Sequence, residues 1–200
     1  MAIKHQSVLK QIKNQKQAVK EVLSRFGAKI DSDMKLLAHI YFEHAIKYHK
    51  LNPNNISIML FMSHFANKVF GNPSTTVRAR REVEKEHPEL NFTKKAPIGE
   101  FKVEDRVKNQ LFNCSQCRDS DLKLIMSLWL DDCRYASLDP NKHRAVEFLK
   151  LMNQNNVTNP ISIIRARRKI TKEFPKLKGS TYKQRQEEAK DVRNHYRKNK

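Results

Sequence analysis

Two arginine clusters are the groups in this chain best suited to chemistry, and the chemistry they suit is anion recognition. Arg78-Ala79-Arg80-Arg81 and Arg165-Ala166-Arg167-Arg168 each place three guanidinium groups within four residues. A guanidinium is permanently charged and forks onto a phosphate or the edge of a base. Short hydroxyl side chains stand three residues ahead of each cluster, Thr75 before Arg78 and Ser162 before Arg165. Such residues at the start of a helix leave room for its N-terminus to approach phosphate. Lysines follow at helical intervals, Lys85 in the first case and Lys169 and Lys172 in the second.

The other candidates for chemistry are weaker. Cys114-Ser115-Gln116-Cys117 has the spacing of half a zinc site, which Cys133 or His143 would have to complete, and there is no second Cys-x-x-Cys. The reading is therefore a pair of ordinary thiols at a helix end, with no metal and no cofactor. His39, His44 and His49 recur every five residues, which scatters them around a helix. Asp131-Asp132 lacks the third acidic partner that a metal-dependent nuclease needs. With no glycine-rich phosphate loop, nucleophile elbow or catalytic triad in the sequence, an enzyme is not expected.

The arginine clusters belong to a longer internal repeat. Asn72 to Leu90 aligns without a gap on Asn159 to Leu177 at a shift of 87, and ten of nineteen positions are identical. At a shift of 88, Asp33-Met34-Lys35-Leu36-Leu37 lies over Asp121-Leu122-Lys123-Leu124-Ile125, Tyr41 over Trp129, and Val19-Lys20 over Val107-Lys108. A period this long means two similar small domains, not a solenoid of short repeats. The expected organisation is a first unit over 1–90 with a basic N-terminal helix, a linker over 91–104, a second unit over 105–178, and a basic polar tail or helix over 179–200.

Composition limits what those units do. Only four glycines in 200 residues and abundant Lys, Glu, Gln, Leu and Ala favour an all-α fold. A formal charge of +19 and a pI near 10.0 exceed what solubility requires and point to a polyanionic partner. No apolar run of membrane-spanning length occurs, and the N-terminus lacks the apolar stretch of a signal peptide, so a cytoplasmic protein is expected. Three cysteines argue against a disulfide framework.

Each unit reads as about four helices. Apolar spacing predicts one over Gln6 to Phe26, a second from Asp31 or Ser32 to His49, a third after Asn54 carrying Ile58, Phe61 and Phe65, and a fourth from Pro73 or Ser74 to near His87-Pro88. The second unit repeats them near 103–113, 119–135, 141–154 and 160–174. With Ile163 at 0° on a helical wheel, Ile170, Phe174 and Ala166 form an inner apolar arc, while Arg165, Arg168, Lys169, Lys172 and Ser162 face outward. In the first unit Thr76, Ala79, Val83 and His87 lie inward and Thr75, Arg78, Arg81 and Lys85 outward, with Glu82 where the second has Lys169. Arg80 and Arg167 border the buried arc. They are read as structural, pairing with Glu43 or with Asp131 and Asp132.

A helix, a break at Asn155-Asn156-Val157-Thr158-Asn159-Pro160 and a basic amphipathic helix together fit a helix-turn-helix. The run from Asn159 through Arg165-Ala166-Arg167-Arg168-Lys169-Ile170-Thr171-Lys172-Glu173 to Arg185 resembles the trihelical helix-turn-helix segment of small bacteriophage regulatory proteins, and Asn72 to Leu90 resembles it more loosely. The resemblance implies double-stranded DNA as partner and a phage or mobile-element regulator as function. Two joined readers would then contact two half-sites about 34 Å apart or a multiple of that, unless packing between the units sets the spacing. A protein-interaction factor acting on a host transcription or replication machine is the second reading, and RNA binding the third. Oligomeric state is not legible here.

Overall fold

The computed structural model describes residues 15–67, 72–92, 103–180 and 182, and among these the chain is helical with no strands. In chain order the helices are α1 (15–26), α2 (Asp33–His49), α3 (Ile58–Ala66), α4 (Pro73–Glu86), α5 (Val103–Asn113), α6 (Ser115–Asp119), α7 (Asp121–Tyr135), α8 (Ala145–Asn153) and α9 (Pro160–Glu173). None of the described helices is long and apolar enough to cross a membrane. The expected start of the first helix before residue 15, most of the 91–104 linker and the tail beyond residue 182 lie outside the described residues.

Capping residues fix most of the helix starts. Ser32 Oγ accepts the Lys35 N–H ahead of α2, and Ser120 Oγ accepts the Lys123 N–H ahead of α7. Asn72 and Asn159 cap α4 and α9, each followed by a proline at the first helical position, where a missing N–H does no harm. Two boundaries differ from expectation. Ser57, not Asn54, caps α3, because the Asn54 N–H is drawn into a turn by Asn52 Oδ1 at 3.0 Å. In the same way Asp139 Oδ1 holds the Asn141 N–H at 3.0 Å, so α8 begins only at Ala145.

A third difference is α6, a short helix that apolar periodicity could not show. Cys114 caps it, its Sγ accepting the Cys117 N–H at 3.3 Å, and the two cysteines are joined as a disulfide. The expectation of two free thiols is corrected. Capping brings the side chains of positions three apart together, with Cα atoms 5.4 Å apart, inside the range a disulfide spans. Among the described residues no cluster of His, Cys, Asp or Glu could hold a metal.

The two halves interlock. Helix α2 packs on α8 and α7 packs on α3, so each half takes its third helix from the other side of the sequence. Helices α3 and α8 also pack on each other, while α9 rests on α5 and α7. An antiparallel bridge joins Ser57 to Arg144. Beside it the Ile58 N–H donates to the His143 carbonyl at 3.0 Å and the Ala145 N–H to the Ile56 carbonyl at 2.9 Å. Flanking these, the Met59 N–H reaches the Pro140 carbonyl at 2.8 Å and the Val146 N–H the Pro53 carbonyl at 3.0 Å. Every one of these bonds has its counterpart at a shift of 87.

Burial follows this exchange. One continuous apolar core runs from Val19 to Leu177 and contains residues of both halves. Aromatic rings bridge it: Tyr41 meets Phe65 edge-on at 5.6 Å, Phe65 meets Trp129 at 4.9 Å, and Trp129 meets Phe148 at 5.3 Å. Ring pairs of this kind add about 0.5–1.5 kcal/mol beyond the area they bury. The core therefore crosses the position at 91–104 where the sequence suggests a linker.

Candidate nucleic-acid interface

Helices α4 and α9 carry the candidate residues, and their placement starts from two arginines that point inward. Arg80 is 1% exposed: its Nε donates to Glu84 Oε1 at 2.7 Å, its Nη2 to the Ile30 carbonyl at 2.9 Å, and its Nη1 lies 3.5 Å from Asp33 Oδ1. Arg167, 7% exposed, makes the matching pair of contacts, to the Asp121 carboxylate and the Arg118 carbonyl. Their structural role is as expected, but the partners are not. Asp33 and Asp121 open α2 and α7, close to the flank of the arginine helix, whereas Glu43 and Asp131 are held elsewhere, by Arg25 at 2.7 Å and Arg134 at 2.9 Å.

Asp132 has a different task. It accepts Arg106 Nη1 at 2.8 Å, the Thr158 N–H at 2.7 Å and the Thr158 hydroxyl at 3.1 Å. The Thr158 carbonyl in turn accepts the Trp129 indole N–H at 2.8 Å. This buried cluster fixes the segment that leads into α9. Its signal in the sequence was only Asp132 itself, since Arg106 and Thr158 are far from it along the chain.

With Arg80 and Arg167 withdrawn, the other arginines are left outside. Arg78, Arg81, Arg165 and Arg168 are all exposed, Arg78 with 83% of its side chain in solvent, and Lys85 and Lys172 are exposed with them. Thr75 and Ser162 are half-buried at the helix starts. One N–H at each of those starts is already taken, because Asn72 Oδ1 accepts from Ser74 and Asn159 Oδ1 from Ile161. Among the described residues no carboxylate lies within ion-pair distance of Arg81, Arg165, Arg168, Lys85 or Lys172, whereas Arg78 is 3.3 Å from Glu82.

Lys169 is the candidate whose setting differs most from the sequence reading. Its ammonium is held by both oxygens of Glu104 at 2.8 and 2.9 Å, which raises its pKa. The equivalent positions in the first half hold the reverse pair: Lys16 Nζ lies 3.0 Å from Glu82 and 2.9 Å from Glu86. The Lys16 hydrogen bond, opposed by desolvation, lowers the pKa of Glu82. Glu82 is thus less a weakened Lys169 than one end of a brace between α1 and α4. The reversal of charge at shifts of 88 and 87 was visible in the sequence.

The two helices are neighbours. Helix α4 lies against α9, and on both the residue 100° around from the inner arc is buried, Val77 at 3% and Ile164 at 5% exposed. Contact between the halves, and not a linker, sets their spacing. Asp33 shows how near the charges come: burial pushes its carboxyl above the ordinary range, while Arg80, Arg81 and Arg165 pull it back down. Arg81 belongs to α4 and Arg165 to α9. A groove beside Arg165, lined also by Ser162, Ala166, Lys169, Val103 and Glu104, separates α9 from the start of α5. No family model, curated protein or solved structure matches the chain.

Proposed function

We propose that this protein is a sequence-specific double-stranded-DNA-binding regulator of the phage or mobile-element kind, built from two copies of one helical unit that present α4 and α9 to the duplex. The observation that carries the reading is the sorting of arginines. In both clusters the middle guanidinium is spent inside the fold and its two neighbours stand in solvent, on adjacent helices of a chain carrying a formal +19 charge. Arginines kept outside on both copies suit phosphate and guanine contacts. Thr75, Arg78, Arg81 and Lys85 from α4, with Ser162, Arg165, Arg168 and Lys172 from α9, would form the contact set. Lys169 would join it only by leaving Glu104.

The test is titration of labelled duplex DNA followed by anisotropy over a range of salt. Affinity is expected to fall steeply as salt rises, since contacts between phosphates and the basic side chains would release counterions. Arg165→Ala is expected to weaken specific binding by about 1–3 kcal/mol. A protein that ignores duplex DNA at low salt, yet holds one host protein or a single-stranded RNA tightly, refutes the proposal.

A further inference from the structure

The exchange of hydrogen bonds at the seam between the halves determines more than their proximity. If the second half followed the first by translation, Ile58 could bond to His143 without Ala145 bonding to Ile56. Both bonds are present, and so are both Met59 to Pro140 and Val146 to Pro53. Reciprocal contacts of this kind are the mark of a two-fold axis, in which residue i meets j and the equivalent of j meets the equivalent of i. The packing obeys the same rule. Helix α2 on α8 mirrors α7 on α3, and the pairs α3 with α8 and α4 with α9 map onto themselves. The axis passes between Ser57 and Arg144.

Resting on the DNA reading above, we infer that α4 and α9 form one rigid, two-fold-related reading surface that takes a single inverted repeat in duplex DNA, with half-site centres less than one helical turn apart. Orientation follows from the axis, because Arg78 and Arg165, like Arg81 and Arg168, are related by rotation and meet the two strands from opposite directions. The spacing follows from contact. Each helix has fourteen residues, hence a length of about 21 Å. Two such helices that touch have midpoints closer than the ~34 Å turn of the duplex. Rigidity comes from the swapped α3 and α8, which prevent either half from moving alone.

The two arms are not equal. Helix α9 turns Arg165, Arg168 and Lys172 outward with Glu173 as its single carboxylate, whereas α4 carries three, Glu82, Glu84 and Glu86, among its basic residues. The α9 half-site should carry the larger share of affinity.

Selection of bound sequences from random duplex DNA with the intact protein, followed by insertion of base pairs between the recovered half-sites, tests this. An imperfect inverted repeat is expected, with half-site centres closer than one turn, and insertion of half a turn should weaken binding by about tenfold or more. Arg78→Ala and Arg165→Ala should relax preference at mirror-related positions of that repeat. Direct repeats, or half-sites that tolerate insertion, overturn the two-fold surface while leaving DNA binding intact. Failure to retain any duplex removes the DNA reading itself and this inference with it.

Discussion

At the scale of single residues, position on the helix decides whether an arginine holds the fold or faces outward. Arg80 and Arg167 sit about 40° from the centre of the inner arc, where the guanidinium can bend back to a carbonyl and a carboxylate that are both buried or partly so. Removing either leaves those acceptors without a donor, so Arg80→Ala and Arg167→Ala should each destabilise by about 2–5 kcal/mol in urea denaturation. Arg78→Ala and Arg165→Ala should change stability by less than about 0.5 kcal/mol. Equal losses in all four variants would contradict the division. Cysteine divides similarly. Burial, aided by the Asp132 charge and opposed by Arg134, raises the Cys133 thiol to about 12. The thiolate is the reactive form, so thiol reagents at neutral pH should leave Cys133 untouched in the native protein and label it on unfolding. Rapid native labelling at Cys133, read by mass spectrometry, would count against its burial.

At the scale of elements, the pairs that hold α1 to α4 and α5 to α9 bear on the outer charge. Lys16 with Glu82 and Glu104 with Lys169 occupy equivalent places with the signs exchanged. Exposed pairs like these contribute little stability in solvent. Their larger effect is on the field that α9 presents. Glu104→Gln frees the Lys169 ammonium, and it should raise duplex affinity and steepen the slope of log K against log salt by about 0.9, the value of one added phosphate contact. An unchanged slope would mean that Lys169 stays out of the interface. Element boundaries were legible wherever a cap stood beside an apolar repeat, as at Ser32, Asn72 and Asn159. They were missed where two capping residues competed, as Asn54 and Ser57 do, or where a helix was too short to show a period, as in α6.

At the scale of the whole molecule, exchange of α3 and α8 makes the halves interdependent. Trp129, the only tryptophan, lies between Phe65 from the first half and Phe148 from the second, tilted against both rings. Its fluorescence therefore reports on the seam, while far-ultraviolet circular dichroism reports on all helices. Heat or urea should produce one transition, coincident by both probes, because neither half keeps its core when the other opens. Two resolved transitions, or tryptophan exposure well before loss of helix, would show that the halves melt separately. The candidate surface depends on the same interlocking, since α4 and α9 are neighbours only while the seam is closed.

The sequence alone determined the all-helical character, the correspondence at 87 and 88 residues, the helix starts at or beside proline, and the inward turn of Arg80 and Arg167. All of these are local: they depend on periodicity, capping and the angle a side chain makes on its own helix. Only the tertiary structure decided that α8 packs on α2, that Val77 and Ile164 leave solvent, that Lys169 meets Glu104, and that the halves meet around a two-fold axis. Those outcomes depend on which apolar face finds which. Two helices with equivalent inner faces, α3 and α8, offer nearly the same surface to either half, and the pattern along the chain cannot distinguish a helix folded back on its own unit from one exchanged with its neighbour.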